Sequence, residues 1–202
     1  AIELNESFCH TIDVQGKIVT PGFIDQHVHI TGGGGQQGYA SLVPEVTMSE
    51  LVACGTTTVL GMLGTDGFAK ELTTLYAKAK AIDDDGLSAY MLTSYYGLPT
   101  KTLMNSVADD LIFIDKVIGC KLAMSDDRSP FPTEQEILRI IHQVRLGGFT
   151  SGKGGILHIH LGALPEGIEP LLNIARHYPT LISYLSPTHL ILSLIHISEP
   201  TR

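Results

Sequence analysis

The chain has 202 residues, of which 44% are hydrophobic and 17% are charged. This composition is typical of a globular protein and excludes a disordered or collagen-like one. The net charge is −8, and no run approaches the roughly 18 apolar residues of a membrane span, so we expect neither nucleic acid nor a membrane as a partner. Three widely spaced cysteines and an N-terminus without signal-peptide features predict a cytoplasmic protein.

The two ends of the chain are interpreted apart from its body. Residues Leu192–Arg202 resemble a translated sequencing adapter, so we expect a non-native tail there. This tail and the missing initiator Met predict that the chain is an internal piece of a longer protein. Residues 1–20 are expected to be a remnant of an N-terminal β-sandwich, with a strand, a turn at Gly16 and a second strand. Residues 21–191 would form the main domain.

The main domain alternates apolar, β-branched runs with helical patterns. The runs predict six strands, at Phe23–Ile30, Thr56–Leu63, Leu87–Thr93, Gly119–Ser125, Ile156–Leu161 and Leu181–Leu185. The helical patterns lie at Met48–Cys54, Phe68–Asp84, Val107–Val117, Thr133–Leu146 and Ile168–His177. Thr133 and Glu136 form a capping-box pattern at the start of the fourth helix. Strands that alternate with helices of this length indicate βαβ units and a parallel sheet.

Six such units fit either a doubly wound α/β sheet or most of a (β/α)8 TIM barrel, which typically needs about 250 residues. Histidines and a lysine stand at or just after the C-terminal ends of several predicted strands. That rim is where barrel enzymes place their chemistry. We therefore predict an α/β fold, an incomplete (β/α)8 TIM barrel with about six of its eight strands.

Two His-x-His patterns place pairs of imidazoles on one face of a strand, because side chains two residues apart point the same way. His27 and His29 form the first pair, and His158 and His160 form the second. His160 is the better ligand candidate because it is nearer the strand end, whereas His158 is interpreted as a packed core histidine. With His189 after the sixth strand and a modified Lys121 in the fourth, the pattern favours a two-metal site. Imidazole together with carboxylate-like oxygens suits zinc better than iron or manganese.

Lys121 stands among small residues on the face of its strand opposite Cys120 and Leu122. A buried ammonium is costly unless it is paired or neutralised. One interpretation is that Lys121 reaches solvent or pairs with Asp126 or Asp127. The other is that carbon dioxide converts its amine into a carbamate, an anionic oxygen donor that can bridge two metal ions.

The segment Val19–His29, with the sequence VTPGFIDQHVH, resembles the first-strand signature of the amidohydrolase superfamily. Within that superfamily the chain is similar to the isoaspartyl (β-aspartyl) dipeptidases. The closer motifs are HITGGGG at 29–35, GMLGTD at 61–66, MLTSYY at 91–96, VIGCK at 117–121, SDDR at 125–128 and PTH at 187–189. The resemblance covers essentially all of residues 11–191.

The resemblance implies a binuclear zinc enzyme that hydrolyses the isopeptide bond of β-aspartyl dipeptides through a metal-bridging hydroxide. His27 and His29 would bind one Zn²⁺, His160 and His189 the other, and carbamylated Lys121 would bridge them. Tyr96 would donate a hydrogen bond to the developing oxyanion. The substrate would contact Gly34, Gly35, Gln36, Thr65, Tyr96 and Arg128, of which Arg128 would hold a carboxylate. The partners implied are a small dipeptide and, for the full-length protein, further copies of the chain.

Two departures from the family pattern bear on function. Gln36 replaces the family's acidic residue, which meets the free α-ammonium of the substrate, so a charge-assisted bond of about 1.5–3 kcal/mol is lost. The family's general-base aspartate belongs to an eighth strand that this chain does not reach, so we expect the fragment to be inactive. Gln36 leaves open a cyclic-amide hydrolase of the hydantoinase or dihydroorotase type, and a third hypothesis is a catalytically silent interaction protein.

Overall fold

The structure, a computed structural model, describes residues 12–190. It contains six strands: β1 (Phe23–Val28), β2 (Thr56–Gly61), β3 (Ser88–Ser94), β4 (Val117–Met124), β5 (Ile156–Leu161) and β6 (Leu185–Thr188). Between them lie five α-helices: α1 (Met48–Ala53), α2 (Leu72–Asp84), α3 (Val107–Phe113), α4 (Glu134–Ser151) and α5 (Glu169–His177). Within residues 12–190, no helix is long and apolar enough to cross a membrane.

All neighbouring strands are parallel and follow one another in chain order from β1 to β6. A doubly wound sheet would reverse its strand order at a central crevice, so the sequential order excludes that alternative. The six strands form a curled half-barrel with helices, which confirms the predicted incomplete (β/α)8 barrel.

The main core lies between the strands and the helices. Alternate side chains of β4 and β5, such as Leu122 and Ile159, join this core together with Ile137 and Ile141 of α4. The intervening side chains point to the inner, concave face of the sheet. Because the pleat alternates strictly, an apolar face toward the helices leaves the opposite face of each strand for polar residues.

Local sequence signals set most of the element boundaries. Thr133 caps α4 by accepting a hydrogen bond from the Glu136 backbone N–H, and the Glu136 carboxylate accepts one from the Thr133 backbone N–H, which confirms the predicted capping box. Gly152 in the left-handed conformation ends the same helix, five residues beyond the predicted end at Leu146.

Two local predictions are wrong. The predicted sixth strand at 181–185 is mostly a 3-10 helix, Pro179–Tyr184, and β6 begins at Leu185 instead. In residues 12–20 the structure shows the turn at Gln15 and Gly16 but no strands, because no partner strand pairs with this segment in the described part of the chain. The predicted tail at 192–202 lies outside the described residues.

Candidate functional site

The candidate site lies where the inner face of the sheet meets the C-terminal ends of its strands. His27 is in β1 and His29 directly follows it, Lys121 is in β4, His158 and His160 are in β5, and His189 follows β6. Parallel pairing in register places Lys121 beside His158 and Ala123 beside His160. The curl of the sheet then brings the two outer strands to the same place.

The imidazoles of this site form one continuous cluster. The His27 ring centroid lies 5.5 Å from that of His29, 5.0 Å from that of His158 and 5.1 Å from that of His189. The centroids of His160 and His189 are 4.8 Å apart. All four histidines that the sequence predicts as metal ligands are therefore brought together.

These imidazoles are held in the neutral form. Burial, followed by the charge of Lys121, lowers the pKa of His27 to about 2, and burial lowers that of His160 to about 4. Burial also lowers the pKa values of His29 and His189. A neutral imidazole has a nitrogen lone pair to offer, which is the form that ligates a metal ion.

Lys121 is completely buried, and its Nζ has no hydrogen-bond partner. It neither reaches solvent nor pairs with Asp126 or Asp127, so the first interpretation of this lysine is wrong. Burial lowers the pKa of its ammonium to about 7. Nζ lies 5.7 Å from the centroid of the Tyr96 ring. The lysine thus approaches the site as an unpaired amine, much of it neutral at physiological pH.

Asp126 instead binds two other members of the site. Its carboxylate accepts hydrogen bonds from Nε and Nη2 of Arg128 at 2.7 and 2.6 Å, and it lies 2.8 Å from Nε2 of His160. The Arg128 guanidinium holds the pKa of this carboxyl well below its usual range. Sequence reasoning treated Asp126 only as a partner for Lys121 and missed this role.

Several predicted substrate-binding residues line one cavity of about 380 Å³ beside the histidines. Its lining includes Gln36, Thr65, Phe68, Tyr96 and Arg128. Tyr96 connects this cavity with the cluster, because it lines the cavity and its ring centroid is 4.7 Å from that of His160. Burial raises the pKa of the Tyr96 phenol, so its hydroxyl keeps its proton and can donate a hydrogen bond.

The predicted glycines shape the loop around this cavity and do not appear among its lining residues. Gly34 and Gly35 both have positive φ, at 86° and 87°. The Gly34 carbonyl accepts a hydrogen bond from Thr65 at 3.0 Å, and a Cβ on Gly35 would contact the Phe68 ring at 3.1 Å. Gly34 and Gly35 therefore help to position Thr65 and Phe68, which line the cavity.

A metal ion requires several donor atoms that converge on one point. Within residues 12–190, no three His, Cys, Asp or Glu side chains already converge on one point as a finished ligand cage. However, Nδ1 of His29, Nδ1 of His160 and Nζ of Lys121 are buried without a hydrogen-bond partner. Buried polar atoms are normally hydrogen-bonded, so three orphaned nitrogens in one cluster fit a site built for a ligand.

Comparison with known proteins agrees with this geometry. The chain matches no protein family model. Two crystal structures of beta-aspartyl dipeptidase from Fervidobacterium islandicum AW-1, one of them in complex with beta-Asp-Leu dipeptide, are each 47% identical, with a TM-score of 0.82 over 84% of this chain and 46% of theirs.

Among curated proteins, imidazolonepropionases are more distant relatives. That of Ruegeria sp. (strain TM1040) is 31% identical over 48% of this chain and 25% of its own length, and that of Acinetobacter baumannii is 28% identical over 46% and 24%. The chain thus spans about a quarter of these relatives and about half of the solved structures. The predicted resemblance to the beta-aspartyl dipeptidases of the amidohydrolase superfamily is confirmed.

Proposed function

We propose that the chain carries the metal-binding part of a binuclear zinc hydrolase that cleaves the isopeptide bond of β-aspartyl dipeptides. The observation that carries this proposal is the unpaired Nζ of Lys121, fully buried in a cluster of neutral imidazoles. A structural lysine would be paired or exposed. The 47% identity to beta-aspartyl dipeptidase structures supports the same conclusion.

Lys121 is the residue that would bridge the two ions. In its neutral form the amine lone pair attacks the carbon of carbon dioxide, and the nitrogen then loses a proton to solvent, leaving an anionic carbamate. A lowered pKa favours this step because it maintains the neutral amine near pH 7. Carbamylation thus replaces an ammonium group, which cannot ligate a metal ion, by a carbamate with two carboxylate-like oxygens, which can.

The histidines would divide between the ions, with His27 and His29 on one and His160 and His189 on the other. When bound, two zinc ions would activate water at neutral pH and polarise the carbonyl that it attacks. Tyr96 would add a hydrogen bond to that carbonyl oxygen as negative charge develops there. Its protonated phenol and its contact with the His160 ring support this role.

Arg128 would orient the substrate from the wall of the cavity. Asp126 engages Nε and one N–H of Nη2, so both N–H groups of Nη1 and the second N–H of Nη2 are left to meet a substrate carboxylate. The Asp126 contacts also fix the plane of the guanidinium, which makes its geometry suitable for a planar carboxylate. Gln36 and Thr65 line the same cavity.

Gln36 favours a second candidate, a cyclic-amide hydrolase. The residue is exposed and uncharged, so it offers no carboxylate to the α-ammonium of a dipeptide. A cyclic amide has no such ammonium and would lose nothing from this substitution.

Metal and ligand binding by the 202-residue chain test the proposal. We expect close to two zinc ions per chain after incubation with zinc and bicarbonate, measured by elemental analysis. Lys121→Ala should lose metal and recover part of it when a short carboxylic acid is added, whereas Lys17→Ala, in an exposed turn, should behave like the parent.

Calorimetry of the zinc-loaded chain should then show binding of β-Asp-Leu but not of α-Asp-Leu. A chain without metal refutes the proposal, and preference for hydantoin over the dipeptide favours the second candidate.

A further inference from the structure

His158 occupies a position on β5 that packing alone does not explain. Its neighbours Leu157 and Ile159 enter the apolar core, whereas His158 points to the inner face and is only 2% exposed. A polar group that is buried in this way without a hydrogen-bond partner is destabilising. His158 avoids that cost because both of its ring nitrogens have a polar neighbour.

The two contacts form a chain of hydrogen bonds across three strands. Nε2 of His158 lies 2.9 Å from Nδ1 of His27, and Nδ1 of His158 lies 3.1 Å from Oγ of Ser186. Register pairing of β5 with β6 sets His158 directly beside Ser186. His27 is 131 residues away in sequence, so the curl of the sheet is what makes the first contact.

Each of these contacts needs one proton, and the protons can be arranged in two ways. In one arrangement His158 donates to Nδ1 of His27, which leaves the proton of His27 on Nε2. In the other, His27 donates through Nδ1 to His158, and His158 donates through its own Nδ1 to Ser186. Only the second arrangement leaves Nε2 of His27 with a lone pair, because a ring nitrogen that bears a proton cannot bind a metal ion.

We propose that His158 and Ser186 position His27 for metal binding by holding it in the Nδ1-protonated form. The inference rests on the proposed metal site. His158 is then a positioning residue rather than a ligand, although it belongs to a His-x-His pair. Hydrogen-bonded partners of this kind fix the orientation and the tautomer of ligating histidines, and their loss costs about 10- to 100-fold in metal affinity.

The first test reads the protonated nitrogen of His27 directly in metal-free protein. ¹⁵N NMR of the histidine rings should show the proton on Nδ1 for both His27 and His158 in the parent chain. In His158→Leu the proton of His27 should shift partly or wholly to Nε2. A parent His27 that carries its proton on Nε2 overturns the inference, and so does an unchanged His27 signal in His158→Leu.

The second test measures zinc affinity by competition with a chromogenic chelator. We expect His158→Leu to bind zinc about 10- to 100-fold more weakly. His158→Gln should recover part of this loss because its amide oxygen can accept the His27 proton, and Ser186→Ala should lose a few-fold. The matched control is His142→Gln on an exposed part of α4, for which no change is expected.

Ser186→Ala is a small change in a half-buried position, so it tests the inference even where His158→Leu does not fold. Equal zinc affinity in the parent, Ser186→Ala and His158→Gln overturns the role of His158, and a folded His158→Leu with the affinity of the parent overturns it too. A parent chain that binds no zinc at all refutes the proposed function instead, and the NMR result still decides whether the hydrogen-bond chain holds His27 in the stated form.

Discussion

Replacing Lys121 by methionine should stabilise the metal-free chain. Methionine is unbranched, apolar and close to lysine in length, so it can fill the same buried space without a charge. The unpaired Nζ has no hydrogen bond to lose. What the substitution removes is the cost of burying an ionisable amine, and that cost follows from the lowered pKa.

The size and the sign of the effect follow from linkage between protonation and folding. The pKa of Lys121 is lowered from 10.5 in the unfolded chain to about 7 in the native one. Between these values the unfolded chain binds more protons, so the stability of the parent rises with pH through this window. The penalty is about 4 kcal/mol at pH 7, is largest below pH 7 and disappears above pH 10.5.

Urea unfolding followed by far-UV circular dichroism at pH 6, 8 and 10 measures this difference. The protein is kept in chelator and in buffer depleted of carbon dioxide, so that neither metal nor carbamate forms. We expect Lys121→Met to exceed the parent most at pH 6 and the gap to close toward pH 10.5, whereas Lys17→Met on the exposed turn should show no gap. A variant that is no more stable than the parent at pH 6, or a gap that stays constant with pH, refutes the reasoning.

Two further predictions concern residues around the cluster. Asp126→Asn should weaken zinc binding about 10-fold in a chelator competition, because the amide is a poorer acceptor than the carboxylate for the His160 ring. Asp127→Asn, one residue away and exposed, should leave zinc affinity unchanged. Equal losses in the two variants would contradict the role of Asp126. Gly34→Ala should weaken β-Asp-Leu binding in calorimetry, since a Cβ there would lie 2.5 Å from the Ser41 carbonyl oxygen. The positive φ of this residue also costs an alanine about 1–2 kcal/mol. Gly38→Ala has a similar φ but no atom within 4 Å, so an effect of equal size would show that the contact does not matter.

Much of the fold could be predicted because its signals are local. The β-branched runs and capping residues lie within a few positions of the elements they define, and strands β1 to β5 were predicted within a few residues. The position of β6 was missed because the apolar run at 181–185 follows Pro179 and folds as a 3-10 helix. The strand itself contains Pro187, which argues against a strand except at the edge of a sheet, where β6 lies among the described strands.

The site shows the same division between local and distant information. The sequence predicts which histidines stand at strand ends, because the carboxyl ends of parallel strands meet at one rim. It does not predict which ring faces which, since the contact of His27 with His158 depends on how far the sheet curls. For the same reason, nearness in sequence suggests Asp126 or Asp127 as one possible partner for Lys121, whereas the folded chain directs Asp126 to Arg128 and His160.

The meeting of His27 and His189 has a mechanical consequence. His27 lies in one outermost strand of the described sheet and His189 directly follows the other, yet their ring centroids are 5.1 Å apart. Ions held between them would cross-link the first strand to the last, and the energy of that cross-link would add to folding. The curvature of the sheet would then be coupled to metal binding at the C-terminal ends of its strands. Flattening the sheet would release the metal ions, and removing the ions with a chelator would let the outer strands separate.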